Sequence, residues 1–373
     1  MTGLGSEVRK ALGSAVVEAP PGAPDAELVV APQDIEVTAR ALDLASEHGL
    51  QVLVWGGGTH QGLGYRVEPD LVMVTTRMDR VVDWRPDDLT VVVEAGLRVS
   101  DLEERLAARG QTALLPERPG EATVGGCLAA GVSGWRRLRF GPTRDRVLEV
   151  VLATGDGRVV SGGGQVVKNV TGYDLPRLTT GSFGALGVIG RVCLKLWPAG
   201  GAAATVTVPD AEEAMRVVYR PLAVVEEDGR AGVYLAGTDA EVASQAAALG
   251  GEIESGLHWP HPLDTPVELV VRTRPSETRE AVESLDGWRY QAAFGVGEVR
   301  VGAEELDIEA AAELRRWIEA RGGSLVVWRA PAEVYQAFDP WGAPPAGVEL
   351  QRRVKAAFDP LRVVNPGRLP GGI

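Results

Sequence analysis

The chain has 373 residues, 51 of them acidic against 38 basic, with a formal net charge of −13 and an ordinary apolar fraction of 45%. That length predicts two domains with real cores, and the acidic balance argues against non-specific binding to nucleic acid or anionic membrane. Cys127 and Cys193 are too few for a four-thiolate iron–sulfur cluster, no run approaches the ~18 apolar residues of a membrane span, and the opening Met1-Thr2-Gly3-Leu4-Gly5 lacks the regions of a signal peptide, so a cytoplasmic protein is expected.

In chain order, residues 1–28 mix Gly, Ala and Pro and predict a loosely attached N-terminal arm. Asp34 reads as an N-cap, with Val37, Ala41, Leu44 and Ala45 on one helical face and Gly49 as the stop. Strands are predicted at 51–55 and 71–75, closing a small lobe, and again at 90–94. Ser100-Asp101-Leu102-Glu103 has the spacing of a capping box for a helix ending near Gly110. Strands at 147–153 and 188–196 follow, and Asp156-Gly157 predicts a hairpin between 151–153 and 159–160. Beyond residue 200 the order β-α-β-β-α-β occurs twice, at 205–254 and 267–328, with Asp210 and Glu213 as a capping pair. This split βαβ repeat predicts one antiparallel sheet with helices on one face.

Three glycine-rich segments interleave with these strands. The first is Val54-Trp55-Gly56-Gly57-Gly58-Thr59-His60-Gln61-Gly62. The second runs from Pro119 through Thr123, Gly125, Gly126 and Cys127 to Ser133 and Gly134, and the third is Gly181-Ser182-Phe183-Gly184-Ala185-Leu186-Gly187-Val188-Ile189. Glycine leaves N–H groups uncovered and tolerates positive φ, so such loops fold into anion-cradling nests. Three of them suggest an extended nucleotide held mainly by main chain, as an acidic chain without a basic field requires.

These words, in this order, resemble the vanillyl-alcohol oxidase and p-cresol methylhydroxylase family of FAD enzymes, and within it the E-type FAD-binding subunits of bacterial glycolate oxidase. The resemblance continues through Gly162-Gly163-Gly164-Gln165-Val166-Val167-Lys168-Asn169-Val170-Thr171-Gly172-Tyr173-Asp174-Leu175 and resumes at Phe358-Asp359-Pro360 and Val364-Asn365-Pro366-Gly367-Arg368. It implies an α+β fold: a two-lobed p-cresol methylhydroxylase-type FAD-binding domain at 29–200, a cap domain at 201–340 with an antiparallel sheet and helices on one face, and a closing segment, 341–373, returning to the FAD domain. It further implies that Trp55, Gly56, Gly57, Gly58 and Thr59 meet the FAD pyrophosphate. Thr123, Gly125, Gly126, Ser133 and Gly134 would line the ribityl and isoalloxazine side, and Gly181, Ser182, Gly187 and Ile189 the pyrophosphate and adenosine. Asn365 resembles a position near the flavin ring, though a C-terminal turn would use the same residues.

Several relatives attach flavin covalently through a histidine directly after a glycine pair. Here Thr59 intervenes, so His60 is read as a loop histidine of the cofactor site, and the FAD as non-covalent. Cys127 is read as a small buried thiol, and Lys168, Asn169 and Tyr173 either border the flavin or lock their loop. Arg136, Arg137 and Arg139 concentrate positive charge beside a cofactor loop and would meet a substrate carboxylate, reduced flavin or an acidic partner, or else face solvent. In the cap, His258 and His261 sit in a proline-stiffened loop without a carboxylate cluster, so no metal is expected, and no convincing general base is found.

The resemblance thus implies an FAD-binding flavoprotein subunit of a glycolate or related 2-hydroxy-acid oxidase (dehydrogenase) complex, used for electron transfer. Its partners would be a paralogous catalytic FAD subunit and an iron–sulfur subunit, with membrane association only through them and a small hydroxy acid as substrate. Two alternatives stay open: a self-sufficient FAD-dependent alcohol or hydroxy-acid oxidoreductase, and a structural subunit with weak or lost FAD binding.

Overall fold

The computed structural model describes residues 10–116, 120–165, 173–285 and 287–373. Three short apolar runs, Leu28–Val30 (β1), Val52–Trp55 (β2) and Leu71–Val74 (β3), form a parallel sheet ordered β1-β3-β2. Parallel pairing needs a crossover connection, supplied by the Ile35–His48 helix. Asp34 accepts from the Val37 N–H at 2.7 Å to start that helix, and Gly49 ends it at φ +67. The C-terminal segment covers the free edge of β2: the Val52 N–H donates to Val363 O, and the Asn365 N–H donates to Val52 O, both at 2.8 Å. The N-terminal stretch is not loose where it is described. Leu12 and Ala15 are buried in the core of this lobe, and the Val17 N–H donates to Val29 O, because their apolar surface covers the core beside β1.

The second lobe is an antiparallel sheet of Val81–Arg85 (β4), Thr90–Glu94 (β5), Val147–Ala153 (β7), Val159–Gly163 (β8) and Val188–Lys195 (β9), ordered β4-β5-β9-β7-β8. A two-strand pair, Gln111–Thr112 (β6) with Trp197–Pro198 (β10), flanks it. Val91, Val93, Val150, Val192 and Leu194 point to one face, where the Val99–Ala107 and Val124–Ala130 helices bury Leu102, Leu106, Val124 and Leu128. The β7–β8 hairpin turns at Asp156-Gly157, with Gly157 at φ +75. The expected capping box is corrected: the helix begins at Val99 with Arg98 as N-cap, and Ser100 lies inside it, bonded to Asp101. Burial decides the start, since Leu97 and Val99 enter the core and the Val99 N–H donates to Ala122 O. Glu103 instead accepts from the Thr112 hydroxyl at 2.7 Å.

The rest of the chain builds one eight-stranded antiparallel sheet from two β-α-β-β-α-β units. The first contains Ala202–Val208 (β11), Ala223–Glu227 (β12), Arg230–Gly237 (β13) and Glu252–Ser255 (β14). The second contains Val267–Arg272 (β15), Arg289–Ala293 (β16), Glu298–Ala303 (β17) and Ser324–Arg329 (β18). The order β14-β11-β13-β12-β16-β17-β15-β18 places the units back to back across β12 and β16. Period-two alternation sorts the side chains. Val267, Leu269, Val271, Val299, Val301, Leu325 and Val327 face the helices. Val270, Val326 and Trp328 face the other way, onto Leu63 and Val132 of the two lobes. That second face forms a seam against the glycine segments.

Candidate flavin site and its seam

The three glycine segments converge on one cleft. β2 delivers Trp55 into the first lobe's core and ends at the glycine run. A Cβ on Gly57 would overlap the Glu121 carbonyl oxygen, and one on Gly56 would lie 2.6 Å from the Thr123 hydroxyl. Gly58, at φ +75, sits on the Trp55 ring. The first and second segments therefore pack backbone against backbone. Among the described residues, no protein acceptor engages the N–H groups of Gly56, Gly57, Gly58 or Thr59. Successive uncommitted N–H groups at a glycine turn make an anion nest, and this one lines the cleft.

The second segment works differently. Thr123 caps the Val124–Ala130 helix, its hydroxyl accepting from the Gly126 N–H at 3.2 Å. The Val124 and Gly125 N–H groups donate to Leu97 O and Ala95 O. The N–H groups opening this helix are thus already satisfied, and Gly125 is small because a Cβ there would lie 2.7 Å from Ala95 Cβ. Gly125 and Gly126 line the cleft with their backbone. Ser133 accepts from the Thr143 N–H, and Gly134 lines a smaller recess with Trp135 and Arg300.

The third segment is strapped to the second by Gly181 N–H to Leu128 O and Phe183 N–H to Ala129 O. Gly187 and Ile189 line the cleft, and a Cβ on Gly187 would overlap the Ala153 carbonyl. The Ser182 hydroxyl is buried with no hydrogen-bond partner among the described residues. Asn365, 1% exposed, accepts from the Val54 N–H at 2.9 Å and donates to Phe183 O at 2.8 Å, so it clamps the first and third segments together.

Sequence reasoning missed Gln61 and Arg368. The Arg368 guanidinium donates to Leu63 O, His60 O and the Gln61 side chain, fixing the loop after the nest. Burial pulls its pKa down to about 10. Arg368 belongs to the closing Asn-Pro-Gly-Arg word, but nothing local signals a partner some 305 residues away. A second buried device ties the same parts together. The Lys355 ammonium donates to Ala185 O, Val364 O and Asp359, which also accepts from the Val363 and Val364 N–H groups.

His60 lines the cleft, its Nδ1 lies 2.9 Å from the Thr59 hydroxyl, and its ring meets Trp328 edge-on at 5.8 Å. Cys127 is buried. Tyr173 is 90% exposed, away from the cleft walls. Lys168 and Asn169, like Pro119, lie outside the described residues. His258 bonds Ser255 O, and among the described residues no three His, Cys, Asp or Glu side chains gather as metal ligands. No helix of the described residues is long and apolar enough to cross a membrane.

The arginine cluster is dispersed by folding. Arg136 donates to Leu115 O and Arg139 to Ala236 O, both half-buried within the molecule, so neither is presented outward with Arg137 as their spacing suggested. Arg137 alone of the three lines a second cavity, of about 230 Å³, beneath the eight-stranded sheet. Ala130 and Phe183 are shared with the flavin cleft, and Arg144, Arg272, Trp328 and Trp341 are among the other walls. Glu298 lies among Arg272, Arg300 and Arg137 at 3.3, 3.7 and 3.8 Å. Burial pushes its carboxyl up, but the guanidiniums outweigh burial and hold it below the usual carboxylate range.

The nest and a cleft walled by glycine backbone suit an extended dinucleotide whose phosphates need N–H donors. Residues 26–163 match a protein family described as FAD binding domain. The chain is 35% identical over 181 residues to glycolate oxidase subunit GlcD of Bacillus subtilis (strain 168), a match covering 47% of this chain and 37% of that one. It is 29% identical over 311 residues to glycolate oxidase subunit GlcE of Escherichia coli (strain K12), covering 78% of this chain and 84% of that one. With a D-lactate dehydrogenase of Archaeoglobus fulgidus it shares 33% identity over 181 residues, 48% of this chain but 40% of the relative. The matches thus span well under half the length of GlcD and of that dehydrogenase. Among solved structures, an alkyldihydroxyacetonephosphate synthase superposes with a TM-score of 0.65 at 16% identity, covering 93% of this chain and 78% of that one, a likeness of fold. Motifs, architecture and matches agree: residues 26–163 match an FAD-binding domain, the fold is of the p-cresol methylhydroxylase type, and FAD is the cofactor.

Proposed function

We propose that this chain is the FAD-binding, electron-transferring subunit of a complex that oxidises glycolate or a related 2-hydroxy acid. The observation that carries the reading is the likeness to GlcE, which extends well beyond the FAD-binding segment. Residues 29–200 together with 341–373 act as the FAD domain, and 201–340 as a cap over it.

FAD, when bound, accepts an electron pair from a donor and passes it on. The chain's own part is to hold and shield it. The N–H groups of residues 56–59 receive the pyrophosphate, which supplies the negative charge their arrangement favours. Gly125 and Gly126 let the cofactor lie against bare backbone, while Asn365 keeps the first and third segments at fixed spacing and Arg368 with Gln61 holds the loop after the nest. Phe183 walls the cleft where it meets the adjoining cavity. The binding is non-covalent, since His60 is set one residue beyond the glycine run and engages Thr59. With two buried cysteines and no cluster of its own, the chain passes electrons to partner subunits: a paralogous catalytic flavoprotein and an iron–sulfur protein. It resides in the cytoplasm and reaches a membrane only through them.

A visible spectrum of the purified protein before and after acid precipitation tests the first part. Flavin released to the supernatant is expected, and flavin in the pellet would overturn the non-covalent assignment. Co-purification with a tagged paralogous flavoprotein and a cysteine-rich iron–sulfur protein tests the second, and elution of the chain alone would sink it. The arginine-lined cavity favours a second reading, a self-sufficient hydroxy-acid oxidoreductase. Anaerobic bleaching of the flavin by glycolate in the isolated chain would establish that reading instead.

A further inference from the structure

We propose that Arg137, Arg144 and Arg272 form a carboxylate subsite for a diffusible organic acid, set in the seam between the second lobe and the eight-stranded sheet. The proposal rests on the reading of the chain as a flavin-dependent hydroxy-acid protein and specifies where such an acid binds.

Three observations carry it. The first is position: the cavity of about 230 Å³ abuts the flavin cleft through Ala130 and Phe183, so a ligand there lies beside the cofactor. A water needs only about 10–15 Å³ on this scale, so there is room for an organic anion.

The second is charge. Three guanidiniums line the cavity, and Glu298, behind its wall, pairs loosely with two of them, 3.3 Å from Arg272 and 3.8 Å from Arg137. Among the described residues, Arg144 reaches only Asp145, at 3.9 Å. A charge-assisted pair closes to about 2.7–2.9 Å, so these longer contacts leave donors uncommitted. Among the described residues, Arg137 and Arg144 make no side-chain hydrogen bond, and Arg272 makes one, through Nε. The surplus of positive charge stands out in a chain of net charge −13.

The third is the choice of donor. Many phosphate sites add free backbone N–H groups to their cations, and here the Gly181 and Phe183 N–H groups already serve Leu128 and Ala129. Planar guanidinium forks match carboxylate and phosphate alike; the apolar walls of Phe183, Trp328 and Trp341 are what favour an organic acid over inorganic phosphate. An acid held this way would bridge Arg137 and Arg144 of the lobe to Arg272 of the sheet.

The test is calorimetric titration of the full chain, FAD-loaded and FAD-free, with glycolate, 3-phenyllactate and inorganic phosphate. Saturable binding of the acids is expected, weakened about tenfold or more by Arg144→Gln and by Arg272→Met, with phosphate failing to compete at equal concentration. Acids that bind both variants as they bind the parent, acids that do not bind at all, or phosphate that competes equally would each overturn the subsite. Arg144 is exposed, so Arg144→Gln decides the matter if Arg272→Met does not fold. Flavin content after desalting separates the two ideas. A yellow protein that ignores the acids removes the subsite alone, whereas a colourless protein that rejects FAD removes the flavin reading, and its FAD-free titration still decides the subsite.

Discussion

In the nest at residues 56–59 the donors are main-chain N–H groups fixed by backbone-to-backbone packing, whereas the adjoining seam uses long guanidiniums drawn from the second lobe and the eight-stranded sheet. The nest has no side chain to remove, so only a change of shape disables it. The seam depends on the charge balance around Glu298. Substitutions should therefore damage the two regions in different currencies, flavin content and stability at the nest, ionic and pH response at the seam.

The largest effect is expected at the support behind the nest. Asp359→Ala leaves the Lys355 ammonium buried without its partner, which costs about 3–5 kcal/mol, while a joint replacement of Lys355 and Asp359 by apolar residues should cost much less. Chemical denaturation of the two variants measures the gap, and equal losses would mean the pair is not what holds the C-terminal helix down.

Gly57→Val comes next, because its Cβ would overlap the Glu121 carbonyl. Overpacking of this kind costs about 1–3 kcal/mol, and the purified variant should be colourless. Gly347→Ala is the control: its φ of −88 suits any residue, its Cβ meets nothing within 4 Å, it lies outside the cleft walls, and flavin should be retained. Full flavin occupancy in Gly57→Val would show that the first segment does not shape the site.

Asn365→Ala removes one acceptor and one donor that join the first and third segments. About 1–3 kcal/mol of stability should go with the unsatisfied groups, together with weaker flavin retention on dilution. Retention equal to the parent would confine Asn365 to the terminal turn.

The smallest effect is the seam's pH response. The Glu298 carboxyl is held below its unfolded value of about 4.3. A depressed carboxylate contributes stability that is complete above the unfolded value and is lost as pH falls through the folded one. The melting temperature of the parent should therefore exceed that of Glu298→Gln at pH 6, and the difference should narrow below about pH 4. A constant difference down to pH 3 would detach Glu298 from the arginines.

The locally encoded parts were legible for a physical reason. Asp34 and Gly49 cap their helix through bonds spanning three or four residues, and the split βαβ repeat announces itself in the alternation of strand residues. The same local logic misread Ser100, because a capping box competes with the burial of Leu97 and Val99, which sequence spacing does not weigh. The glycine words located the cleft but not the division of labour inside it: free N–H groups in the first segment, committed ones at the helix opened by the second.

What the sequence by itself determined is therefore the class of cofactor, the order of the lobes and the backbone that lines the cleft, since turns and glycines act within a few residues. Only the tertiary structure decided which side chains reach the site. Arg136, Arg137 and Arg139 are neighbours in the chain, yet helical geometry points them to three different partners. Arg272 and Glu298 lie in different strands, and Arg368 closes on a loop 305 residues away. Long side chains take their roles from whatever the fold brings within reach, and no local pattern records that distance.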